Sequence, residues 1–210
     1  MADWRFLAGH LRKKGRDLEA RVQPRLEGAV LITMGVALIL NLIPFVVLRP
    51  VTGVLLILAS GLTLVRLLRW PVWHCVDRPD LIALMIGYLW LGLGWLLTGL
   101  ALLTGLLPLP NALHSLTIGA LGTLTLTVMA RTRAQRVRKD SGLPKMLYIA
   151  VGLVSVAALT RLLAGTFLSG SIPYLLAAAC WSLAFIILLG FLLYLGRQEV
   201  RLKSKDNRIR

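Results

Sequence analysis

The stretch DLIALMIGYLWLGLGWLLTGLALL, residues 80–103, decides the fold. After Asp80 no charged residue interrupts it. A helix rising about 1.5 Å per residue needs roughly 20 such residues to cross a hydrocarbon core about 30 Å thick. In lipid every backbone N–H and C=O must be satisfied, which a helix does within its own segment. A β-barrel would need short runs of alternating polarity instead, and this stretch does not alternate. Comparable runs extend from Glu27 to Leu48, Val51 to Leu68, Asn111 to Ala130, Met146 to Leu168 and Ile172 to Leu195. A hydrophobic content of 57% and a mean hydropathy of +0.77 fit no ordinary soluble domain. The expected architecture is therefore an all-α membrane protein, a polytopic bundle of about six transmembrane helices over residues 27–196.

The formal net charge of +15 would suggest a nucleic-acid partner in a soluble chain. Here the cations lie between or beyond the apolar runs, which reads as topology and attraction to anionic lipid, with no nucleic-acid role. Of the 24 lysines and arginines, all but Arg49 and Arg161 fall on one side if the chain crosses six times. Positive loops stay inside, so both termini are expected on the cytoplasmic side of the membrane. Residues 1–26 space Trp4, Leu7, Leu11, Leu18 and Val22 at helical intervals, with Arg12, Lys13, Lys14 and Arg16 among them. That pattern predicts a basic amphipathic helix in the membrane interface, not a cleaved secretory signal. Residues 197–210 read as a basic cytoplasmic tail.

Punctuation between the runs is also informative. Pro44 predicts a kink near the end of the first span, and Arg49-Pro50 a tight turn into the second. Asn111 is the expected N-cap of the fourth span, and residues 131–145 the basic loop that follows it. Gly87, Gly92, Gly94 and Gly99 allow helices to approach closely, as does the four-residue recurrence of Ser115, Gly119 and Thr123.

Groups able to carry chemistry are few. All nine acidic residues fall in loops, tails or helix ends, which argues against a proton-driven transporter and removes paired carboxylates for hydrolysis. Cys75 and Cys180 belong to a loop and a span and form neither a disulfide framework nor a thiolate metal site. Of the three histidines, His10 is interfacial, His74 lies in the second loop, and His114 opens the fourth span near its outer end. An imidazole there is either a hydrogen-bonding residue or a ligand for haem iron or copper, and Gly122 leaves room along the same helix. Arg161 lies in the outer half of the fifth span, where it either snorkels to the interface or meets a cofactor propionate. Met34, Met85 and Met129 are soft donors for copper or, more simply, apolar filler.

Four segments taken in order point to a known family: Arg66-Leu-Leu-Arg-Trp70, Pro79-Asp-Leu-Ile-Ala-Leu, Tyr88-Leu-Trp90-Leu-Gly-Leu-Gly94, and Leu113-His114-Ser-Leu-Thr-Ile-Gly119-Ala-Leu-Gly122-Thr followed by Met129-Ala-Arg131. In order and spacing they resemble the C-terminal half of NnrS proteins, most specifically over residues 66–131. The resemblance implies a polytopic protein of the bacterial inner membrane that contains haem and copper and takes part in nitric oxide metabolism and the response to nitrosative stress. It also implies His114 as a haem or copper ligand. Arg161 would then meet a propionate. The family's histidine-bearing motif after the arginine that matches Arg131 is replaced here by Thr132-Arg133-Ala-Gln-Arg-Val-Arg-Lys139. Further ligands are therefore expected from a homo-oligomer or from a second NnrS-like half. The alternatives are a non-enzymatic membrane scaffold or small-molecule carrier that has lost the cofactor, and a cytochrome-b-like electron-transfer anchor, which would need a second buried histidine.

Overall fold

The computed structural model describes residues 24–43, 46–69, 79–138 and 143–209. Among them, six helices are long and apolar enough to cross a membrane. They are α1 (Pro24–Leu42), α2 (Arg49–Leu68), α3 (Pro79–Thr104), α4 (Leu109–Arg138), α5 (Lys145–Leu163) and α6 (Ile172–Ile209). A 3-10 turn, Val46–Leu48, precedes α2. Among the described residues β-structure is limited to one isolated bridge, Ala164 with Leu168. The expected interfacial helix over residues 1–26 lies mostly outside the described residues, as do Pro44, His10, His74 and Cys75.

The long uncharged stretch becomes α3, and its glycines explain its central place. Gly99 and Gly53 of α2 face each other so closely that a Cβ on either would lie 2.7–2.9 Å from the other's carbonyl oxygen. Along the same contact the Ser60 hydroxyl donates to the Gly92 carbonyl at 2.7 Å. Toward α4, Gly94 receives the Leu116 side chain, and Gly119 in turn receives the ring of Trp90. The Trp90 indole N–H then reaches the Ser155 hydroxyl of α5 at 3.2 Å. Lipid offers little hydrophobic force between helices, so this interlocking of small and large residues is what holds them together. A second core gathers Leu126, Leu147, Val154, Leu188 and Leu195 from α4, α5 and α6. Large side chains such as Leu31 of α1 (73% exposed) and Ile186 of α6 (63%) face outward, as lipid-facing residues should.

Several boundaries differ from the expectation. Arg49-Pro50 is not a turn but the first turn of α2, where proline's missing N–H has no helical partner to lose. Pro108, not Asn111, precedes α4, and the Asn111 side chain makes no cap bond. Residues 131–138 continue α4 instead of forming a loop. Ala130 and Ala134 are fully buried there, and Val137 packs on the same cluster. Toward its other end α5 stops at Leu163, five residues short of the expected limit, and Gly165 follows with φ +77°. Helix α6 continues past the apolar run to Ile209, so residues 197–209 are helical.

In the first half of α4, Ser115–Gly122 is wound as a π-helix. The Ser115 hydroxyl bonds the Ala112 carbonyl at 2.5 Å and Thr117 bonds that of Leu113 at 3.2 Å. Such bonds compete with the regular ladder. This segment begins directly after His114, and π-turns inside α-helices concentrate at functional sites.

Candidate functional site at the His114 end of the bundle

His114 is half-buried in the first turns of α4. Its Nδ1 sits in close contact with the Pro110 carbonyl, one turn earlier. A carbonyl only accepts, so Nδ1 must carry the proton, and in the neutral ring Nε2 is left with a bare lone pair. Metal-binding histidines are commonly oriented in this way, the distal nitrogen tied to a backbone carbonyl and the proximal one free to coordinate. Leu113 and Phe167, both well exposed, present apolar surface at this end of the bundle.

Asn111, three residues before His114 and buried, organises the polar groups beside it. Its amide donates to the Ala164 carbonyl at 2.6 Å and to the Thr166 hydroxyl at 3.4 Å. Its carbonyl oxygen accepts from Arg161 Nη1 at 3.1 Å. The Arg161 guanidinium also lies 4.8 Å from the centre of the Tyr174 ring. Gly165 holds the turn open for that ring, since a Cβ there would meet the Tyr174 hydroxyl at 2.7 Å. Among the described residues both partners of Arg161 are neutral. Asn111, Thr166 and Tyr174 are thus site residues that the sequence alone did not single out. Asn111 was legible only as a cap, because its real partners are some fifty positions away.

The two expected site residues come to one end of the bundle through Asn111 and do not bond each other directly. Gly122 does not leave room beside His114, because it packs against Val154 of α5, 3.2 Å from the position of a Cβ. Ser115, Gly119 and Thr123 are buried in helix contacts, as their spacing suggested. Among the described residues no three of His, Cys, Asp and Glu come together. A haem iron would need one imidazole from this end of the bundle, whereas copper would need several donors that the described residues do not gather there. Met129 in particular lies at the opposite end of α4.

That opposite end holds a feature the sequence disguised. Asp80, in the first turn of α3, is 1% exposed and pairs with Arg131 of α4, Nε to Oδ2, at 3.6 Å. A position at a helix end suggested a solvated carboxylate, yet its side chain is buried. Nearby, Glu27 pairs with Arg66 at 3.3 Å, and Arg133 pairs with Glu199 at 2.7 Å. The signal that would have found the first pair is that Asp80 and Arg131 both stand inside the segments quoted above for the family.

Comparisons with curated proteins and with solved structures gave no match. The family model described as NnrS protein matches residues 5–197, well beyond the most specific stretch at 66–131. With that match over most of its length and six helices able to cross a membrane, the chain belongs to the NnrS family of membrane proteins.

Proposed function

We propose that this chain serves the nitric oxide response as a haem-binding subunit in the bacterial inner membrane, with His114 as the axial ligand and Arg161 as the partner of a haem propionate. The observation that carries the reading is the half-buried His114 ring, fixed through Nδ1 by Pro110 at the head of the π-segment, which leaves Nε2 as the nitrogen able to coordinate. A bound haem supplies an iron with an open position for a diatomic ligand. Pro110 sets the tautomer and Asn111 steadies the Arg161 guanidinium. Arginine has five N–H donors, so the bond to Asn111 leaves donors for a carboxylate. Copper is the weaker assignment, since it needs ligands from a second copy or a second NnrS-like half. The one-sided placement of the cations supports cytoplasmic termini, with residues 1–26 in the inner interface and 197–210 beyond the membrane.

The test is the visible spectrum of the protein purified in mild detergent, with and without dithionite, beside His114→Ala and Arg161→Gln. A Soret band that is lost in His114→Ala, and retained with weaker haem affinity in Arg161→Gln, supports the assignment. A colourless wild-type protein contradicts it and leaves a scaffold or carrier without cofactor.

A further inference from the structure

Between the ends of α4 and α6 farthest from His114 runs an open groove of about 870 Å³. Its floor includes Met129, Leu193 and Val200, which are 45%, 58% and 69% exposed. Its rim carries Arg136, Arg197 and Arg201, all exposed, none of them in an ion pair with a described carboxylate. Arg133 also lines the groove, but its charge is met by Glu199. The order along each helix matters. On α4, Met129 and Thr132 lead to Arg136 in steps of three and four, and on α6, Leu193, Arg197 and Arg201 follow in steps of four. Such steps keep residues on one helix face, so the groove grades from apolar to cationic along its length.

We propose that this groove binds one phospholipid of net negative charge, its acyl chain along Met129 and Leu193 and its phosphate between Arg136, Arg197 and Arg201. Basic pockets between helix ends at a membrane surface suit anionic headgroups, and guanidinium groups hold phosphate oxygens in pairs. A free phosphate would have no use for the apolar floor. A second copy docked by the same face would set arginines against arginines. The inference is independent of the haem assignment, because it lies at the other end of the bundle and uses none of the same residues.

The experiment is native mass spectrometry of the delipidated, detergent-solubilised full chain with phosphatidylglycerol or phosphatidylcholine added. The wild-type chain should retain one phosphatidylglycerol with a preference of roughly tenfold or more over phosphatidylcholine, and Arg136→Gln with Arg201→Gln should weaken retention roughly 30-fold. Leu193→Asp, which places a carboxylate on the floor, should also abolish it. Arg49→Gln, outside the groove, should leave it unchanged. All these positions are exposed, so melting temperature and helicity serve as checks that each variant folds. Equal retention of the two lipids, or no loss in the double arginine variant, overturns the proposal. Displacement of the lipid by millimolar inorganic phosphate would also overturn it, in favour of a free-phosphate site.

Discussion

Arg131 and Arg161 sit near opposite ends of the bundle and are accommodated in different ways. Arg131 is buried and set against the buried carboxylate of Asp80, a pair that joins the start of α3 to α4. Arg161 is half-buried and rests on an amide oxygen and an aromatic face. The difference separates structure from function. A buried charge set against its opposite has its field largely cancelled, whereas a charge whose partners among the described residues are neutral keeps its field for an anion. The pair at Arg131 fastens helices together, and the end with Arg161 and His114 is the one proposed above for haem.

Breaking the Asp80–Arg131 pair should have the largest effect. Asp80→Asn leaves a buried guanidinium without its counter-charge and should cost about 3–5 kcal/mol, read as a lower melting temperature in detergent. A double change to leucine at both positions should recover much of that loss, because no unmatched charge then remains. Gly119→Ala comes next: its Cβ would lie 2.6 Å from the Trp90 ring, and overpacking of this kind costs about 1–3 kcal/mol. Arg161→Gln removes one charge-assisted bond at a half-buried site and should destabilise by about 1 kcal/mol, with haem affinity falling more than stability. Arg133→Gln should be the mildest, below about 1 kcal/mol, because its pair with Glu199 is partly exposed. If Arg161→Gln proved as damaging as Asp80→Asn, the contrast between the two ends would fail.

The sequence made the helices legible because a bilayer permits few alternatives to a long uncharged helical run. It was less informative where charge and helix coexist. Residues 131–138 look like a loop on hydropathy, yet their arginines, alanine and glutamine are good helix formers, and Ala134 and Val137 bury against the core. Asp80 reads as a solvated helix end until α4 brings Arg131 to it. His114 and Arg161 were visible as unusual groups in apolar runs. Asn111, which ties them to one end, was not, because its contacts with residues 161, 164 and 166 depend on tertiary packing. The π-winding of Ser115–Gly122 has no local sequence rule, although its serine, threonine and glycines are compatible with it.

Every site described above requires the two ends of the bundle to face opposite sides of one membrane. Single cysteines at Ser171 and at Arg136, in a chain whose Cys75 and Cys180 are replaced by serine, can be labelled with a membrane-impermeant maleimide in right-side-out vesicles. Labelling at position 171 in intact vesicles, and at position 136 only after lysis, is the predicted result. Equal labelling of both positions in intact vesicles would contradict the bundle's orientation and every site placed on it.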